Sequence, residues 1–270
     1  MSASEDGVLL ERADGVLTVT LHRESRRNAL TRAMIESITA AVHAVAHDDG
    51  VRVLLLRSSG QDFCTGIDLG EANDRTGSGG GRPRVGHLQR GFPYGAHGMI
   101  RAFDLVQVPV VSAVRGWAAG VGNALALSAD VVIADSSARF WVPMVRRGFT
   151  PDSGNSWLLP RLIGLARAKE MLIRGKPVDG PTAAAWGLVA ECVEPADLDG
   201  AVAAVVDELR QAATVAAGLT RILIHRNLAV DLDAALQNEG IHEELAVRSD
   251  DFKEGIRSFT EKRDPRFTGR

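Results

Sequence analysis

Residues 110–135 read VVSAVRGWAAGVGNALALSADVVIAD. Val110 to Val114 is a short, unbroken apolar run, the pattern of a strand buried on both faces. A glycine-rich turn through Gly116, Gly120 and Gly122 leads into a helical segment, and a second apolar run begins at Val131. Strand, turn, helix and strand in that order imply parallel pairing with a right-handed crossover, and so an α/β fold.

The same rhythm extends in both directions. Upstream, VRVLLLRSSG (residues 51–60) predicts another buried strand. Before it, NALTRAMIESITAAVHAVAHDDG repeats apolar residues at Ala33, Met34, Ile38, Ala41, Val42 and Val45, with Thr31 as a cap candidate and Gly50 as a stop. The chain opens with GVLLER, the turn ADG and VLTVTLHR, which read as a hairpin. Downstream, VVIADSSARFWVP predicts two short strands. After about Pro195 the pattern is helical throughout, with no strand signal. The stretch 72–95 has little periodicity and is expected to be a mobile flap; it carries His87 and Tyr94, with His97 just beyond, and any of the three could touch a ligand.

Composition excludes several functions. Of 270 residues, 45% are hydrophobic and 24% charged, and the formal net charge of -3 gives no field that favours nucleic acid or an anionic membrane. The two cysteines, Cys64 and Cys192, form no CxxC and lie beside no histidine cluster, so no metal site is expected. The acidic first residues and the lack of a long apolar run predict a soluble, cytoplasmic protein with no membrane association.

Two glycine-centred turns each follow a buried strand: FCTGIDL (63–69) and GWAAGVGNALAL (116–127). Each could direct backbone N–H groups into one cleft, the second at a helix start where unpaired donors favour negative charge. The glycines would equally serve tight packing alone. A third segment, RRGFTPDSGNSWLL (146–159), places Asp152 in a turn ahead of a helix, flanked by Phe149, Trp157 and Leu158. Asp152 reads either as a helix cap or as a proton carrier in an apolar pocket formed with Phe149, Trp157 or Trp141.

These segments, with the closing EGIRSFTEKRDPRF, resemble in order the motifs of the crotonase superfamily, the enoyl-CoA hydratases and isomerases. The resemblance implies a spiral of β-β-α turns over residues 1–197, holding an acyl-CoA site, and a helical oligomerisation region over 198–270. It implies a homotrimer or a dimer of trimers. It also implies an oxyanion hole for a thioester enolate, made by the Ile67 and Val121 amides. The coenzyme A moiety, present as part of the substrate rather than as a bound cofactor, would meet Arg27, Ala29 and Thr65, with Phe259 and Lys262 reaching the nucleotide, often from another subunit.

The chain departs from the family's hydratases at two positions. Where they carry glutamates it has Ala124 and Met144, neither of which can transfer a proton. Asp152 falls where some isomerases of the superfamily keep their acid, and PDSGNSWLLPR and RDPRFTGR look like the ring-opened phenylacetyl-CoA isomerase branch. The leading expectation is an enoyl-CoA isomerase with Asp152 as proton carrier. An enoyl-CoA hydratase, a hydrolase or dehalogenase with Asp152 as nucleophile, and a non-catalytic acyl-CoA-binding scaffold are the alternatives.

Overall fold

The computed structural model describes residues 2–3, 7–70 and 84–270. The predicted hairpin is β2 (Val8–Ala13) and β3 (Val16–Leu21), with the two-residue strand β1 (Ser2–Ala3) paired outside it. Asp14 and Gly15 join the two strands, both at positive φ (49° and 80°), which the turn requires because its twist must match that of the strands. Helix α1 (Arg32–Val45) starts where Thr31 Oγ1 accepts the Met34 amide at 3.1 Å. It buries Met34, Ile35, Ile38, Ala41, Val42 and Val45 along one face.

From here the chain winds between two sheets. Strands β4 (Val53–Ser58), β5 (Val110–Val114), β7 (Val131–Asp135) and β10 (Glu191–Val193) continue the first sheet in parallel from β3. Strands β6 (Trp117–Ala119), β8 (Arg139–Trp141) and β9 (Val178–Asp179) form a second, three-stranded sheet. The β5-to-β6 passage turns at Gly116 (φ +55°), where a Cβ would stand 2.1 Å from the Gln61 carbonyl oxygen; only glycine fits. Each ββ pair therefore places one strand in each sheet before a helix returns the chain, which produces the spiral.

The helices after α1 are α2 (His87–Gly91), α3 (Ala96–Leu105), α4 (Val121–Leu127), α5 (Asn155–Ile173), α6 (Gly180–Trp186), α7 (Leu198–Gln211), α8 (Thr214–Asn227), α9 (Leu232–Ala246) and α10 (Asp250–Glu261). The main core lies between the first sheet and α1, α3, α4 and α5. A second cluster joins Val53, Leu55, Val111, Ala113 and Ile133 to Leu198, Val202 and Val206, so α7 covers the sheet's other face. The tail beyond α10 returns to the sheet through Arg52, whose guanidinium donates to Phe267 O, Ala212 O and Thr214 Oγ1. Of the stretch expected to be an irregular flap, residues 84–95 include α2 and a 3-10 turn (Phe92–Tyr94); residues 72–83 lie outside the described residues.

Candidate active site

The two glycine turns lie side by side. Cys64 and Ala118 form a parallel bridge, with Cys64 N donating to Trp117 O and Ala119 N to Cys64 O, both at 2.8 Å. A Cβ on Gly122 would stand 2.5 Å from Cys64 O and 2.8 Å from Cys64 Sγ, and one on Gly66 (φ +102°) would stand 3.2 Å from Ala119 O. The glycines permit this close backbone approach.

Ile67 and Val121 each sit three residues past that bridge. The bonds from Leu30 N to Gly66 O (2.8 Å) and from Asp68 N to Leu30 O (2.9 Å) use the neighbours of Ile67 and leave its own N–H facing away from Leu30. Val121 opens α4, and first-turn amides have no acceptor within their helix. Among the described residues neither amide has a hydrogen-bond acceptor. Ile67 is 37% exposed, whereas the Val121 side chain is buried.

Asp152 caps nothing. The N-cap of α5 is Gly154 (φ +84°), with no side-chain hydrogen bond, and Ser153 before it is fully buried at φ +53°. A buried non-glycine residue in the left-handed region stores strain of order 1 kcal/mol, which the surrounding contacts must hold. Asp152 Oδ1 is buried and, like Ser153 Oγ, lacks a partner of ordinary hydrogen-bond geometry among the described residues. Burial raises the Asp152 carboxyl above its ordinary range, against the pull of the adjacent Ser153 hydroxyl.

Of the three aromatic walls expected for this acid turn, Trp157 lines a hollow beside it, and Phe149 and Trp141 do not. Phe149 is 51% exposed, and the Trp141 indole is engaged elsewhere, donating to Gly175 O at 2.8 Å. His97 comes instead from α3, its Nε2 accepting the Ser153 amide at 3.2 Å and its ring stacked on Phe92 at 4.5 Å. An acceptor at Nε2 places the ring proton on Nδ1. Helix α3 is held by Arg221, which donates to the carbonyls of Phe103, Asp104 and Val106 and pairs with Asp130. A hollow of about 820 Å³ borders the turn, with His97, Ile100, Ser153, Trp157 and Leu158 in its wall. His87 and Tyr94 are exposed.

Asn155, the first residue of α5, links the acid turn to the glycine turn. Its Nδ2 donates to Asp152 O (2.9 Å) and Gly120 O (3.1 Å), and its Oδ1 accepts Nδ2 of Asn123 at 2.8 Å. Both asparagines are fully buried. Sequence reasoning missed both, because the two lie 32 positions apart.

The two positions where the sequence resemblance leads one to expect glutamates carry no proton-transfer group. Ala124 is fully buried, and Met144 places its methyl 3.4 Å from where a Gly120 Cβ would be. Burial pushes the Cys64 thiol up to about 12, so it stays protonated and non-nucleophilic at neutral pH.

The expected coenzyme A residues fall into two groups. Arg27, Ala29 and Thr65 surround the Leu30–Ile67 bridge. The Arg27 guanidinium pairs with Asp62 at 2.6 Å, the Ala29 carbonyl accepts from Arg23, and the Thr65 amide donates to Arg27 O. Arg27 and Asn28 take positive φ, a conformation braced by Asn28 Nδ2 on Ser59 O and Asp62 O. Phe259 (85% exposed) and Lys262 close α10, which binds the tail through Arg263–Glu254 and Asp251–Thr268. Among the described residues no hydrogen bond or ion pair joins them to the Arg27 loop. No group of three His, Cys, Asp or Glu side chains there could hold a metal, and no helix is long and apolar enough to cross a membrane.

The Enoyl-CoA hydratase/isomerase family model matches residues 11–270. The chain is 35% identical over 257 residues to 1,2-epoxyphenylacetyl-CoA isomerase of Escherichia coli (strain K12), covering 95% of this chain and 96% of that protein. It is 30% identical over 259 residues to a short-chain-enoyl-CoA hydratase of Clostridium acetobutylicum, covering 96% of each. The solved structure of an enoyl-CoA hydratase/isomerase from Cupriavidus metallidurans CH34 superposes with a TM-score of 0.89 at 29% identity, covering 99% of this chain and 98% of that one.

Proposed function

The chain belongs to the enoyl-CoA hydratase/isomerase family and has its crotonase fold; on that premise we propose that this enzyme is an isomerase of enoyl-CoA thioesters, with Asp152 as its proton carrier. The Ile67 and Val121 amides hold the thioester oxygen. Asp152, ionised, takes a proton from C2 of a 3-enoyl thioester. The electron pair of that C–H bond delocalises onto the carbonyl oxygen, where two N–H donors stabilise the dienolate; one such donor is worth about 2.7–4 kcal/mol in the transition state. The protonated Asp152 then returns the proton at C4, leaving the double bond between C2 and C3. One carboxyl group serves both steps, because base and acid are the same group in succession.

The observation that carries this reading is the buried, unpartnered Oδ1 of Asp152, in a turn tied to the peptide that bears the Val121 amide. Hydration needs one group to activate water and a second to protonate carbon, and Ala124 and Met144 supply neither. The named activity of the E. coli relative makes ring isomerisation of an epoxide thioester the second substrate to try. The coenzyme A moiety lies along Arg27, Ala29 and Thr65, with Phe259 and Lys262 of a neighbouring subunit closing over it. The α9 and α10 surface, where Leu232, Leu236, Ile241, Leu245 and Ile256 are exposed, suits assembly as a trimer or a dimer of trimers in the cytoplasm.

The test is spectroscopic. Given a 3-enoyl-CoA, the parent is expected to generate the absorbance of the conjugated 2-enoyl thioester. Bleaching of a supplied 2-enoyl-CoA at a comparable rate would overturn the reading in favour of hydration.

A further inference from the structure

The carbonyl of Gly120 and the amide of Val121 are two ends of one planar peptide unit, so whatever fixes the carbonyl also aims the N–H in the opposite direction. That carbonyl accepts Ala124 N at 3.3 Å and Asn155 Nδ2 at 3.1 Å. The same Nδ2 donates to the Asp152 carbonyl at 2.9 Å, and the Asn155 amide N–H donates to it at 3.0 Å. Two acceptor-only carbonyls on one side, and the Asn123 Nδ2 donor on the other, fix which end of the Asn155 side chain is nitrogen.

From this we infer that Asn155 is a positioning residue: one side-chain amide sets the Val121 N–H and the Asp152 carboxyl group in register, so that enolate stabilisation and proton transfer meet on the same substrate. The inference rests on the roles proposed above for Val121 and Asp152. Three features support it. Asn155 spends both donor hydrogens and its acceptor inside the protein, and it is fully buried. The strained Ser153–Gly154 link leaves the acid turn no helix-capping bond of its own, so Asn155 supplies the hold. The supporting Asn123 leaves its own Oδ1 buried without a partner, an arrangement that stability alone would select against.

The test compares the parent with Asn155→Ala, Asn123→Ala and Asp152→Asn. It reads kcat and KM on a 3-enoyl-CoA, thermal unfolding, and the near-ultraviolet enolate band that acetoacetyl-CoA develops when its oxygen is held by hydrogen-bond donors. Asn155→Ala is expected to lower kcat about ten- to a hundredfold with KM unchanged, since small misplacement of reacting groups costs this much. Its enolate band should also weaken. Asn123→Ala, which leaves the Asn155 donors in place but frees their anchor, should lower both by a smaller common factor. Asp152→Asn should keep the band and lose turnover.

A folded Asn155→Ala with parental kcat and band, whatever its melting temperature, overturns the inference. If Asn155→Ala does not fold, Asn123→Ala decides in the same terms: a weakened band supports the inference, and an unchanged band and kcat overturn it. Absence of the band in the parent would instead overturn the oxyanion reading itself, and this inference with it.

Discussion

Two aspartates stand just ahead of helices in this chain, in nearly the same vocabulary of turn residues, and they end in opposite states. Asp179, in Asp-Gly-Pro-Thr, caps α6: its Oδ1 accepts the Thr182 amide at 2.9 Å, and Thr182, through its side chain first and then this amide, holds the carboxyl below the ordinary range. Asp152, in Asp-Ser-Gly-Asn, caps nothing, and burial holds its carboxyl above that range. The difference lies in what arrives from elsewhere. At Asp179 the local hydrogen bond is free to form. At Asp152 the turn is pulled toward the glycine turn by Asn155 and walled by His97. A cap is a local property; a buried acid is one that distant contacts impose.

The largest expected effect separates the two by activity. Asp152→Asn should lower turnover of a 3-enoyl-CoA about 10²- to 10⁴-fold, the usual worth of a positioned proton carrier. Binding of the thioester should persist. Asp179→Asn should leave turnover unchanged. Steady-state kinetics on both variants checks this, and comparable losses in the two would end the distinction.

A second contrast extends the comparison to glycines. Gly122 has no room for a Cβ, whereas Gly200, inside α7, has nothing within 4 Å of where one would sit. Gly122→Ala should destabilise the protein by about 1–3 kcal/mol, because backbone atoms of Cys64 must move. It should also depress kcat through the shifted Ile67 turn. Gly200→Ala should instead stabilise by about 0.5–1 kcal/mol, since helical glycine has more backbone freedom to lose. Urea unfolding distinguishes the signs.

What the sequence made legible follows the same division. The Asp14–Gly15 hairpin, the Thr31 cap, the buried runs of β4 and β5 and the spacing of α1 are local facts, and local reasoning reached them. So were the two glycine turns, since tight backbone approach leaves glycine as its mark. Strands of two or three residues, such as β6, β9 and β10, carry too few side chains to show a period. Within GWAAG the glycines hid a strand altogether. The surroundings of Asp152 were misjudged for a different reason. Trp157 does line the hollow beside the turn, but Phe149 does not, and the groups that join the turn by hydrogen bonds are His97, from a helix 55 positions earlier, and Asn155, whose importance appears only once it is paired with Asn123. Buried polar partners have no pattern along the chain; the fold creates the pairing.

A third prediction concerns the cap itself. Asp179→Ala should cost about 1 kcal/mol, the usual value of an N-cap side chain, with no change in the acid limb of the rate profile. That limb belongs to Asp152. Its base form is needed for the first proton transfer, so kcat/KM should fall with acidity through a value above the ordinary carboxylate range.

The smallest effect is also the one that tests the comparison most directly, because it predicts opposite signs for two similar substitutions. A depressed carboxyl stabilises the fold above its unfolded value of about 3.9, and that stabilisation is lost as pH falls through the folded value. Asp179→Asn, which keeps a neutral capping oxygen, should therefore melt slightly below the parent at pH 7, and the difference should close in acid. A raised carboxyl does the reverse: its ionisation opposes folding above the folded value, and below about 3.9 both states carry the proton. Asp152→Asn should therefore melt above the parent at pH 7, with the advantage shrinking to nothing as pH falls below about 4. Melting temperatures of the three proteins from pH 7 to pH 3.5 give the two curves. If Asp152→Asn melts at or below the parent at neutral pH, ionised Asp152 does not oppose folding, and the contrast with Asp179 fails.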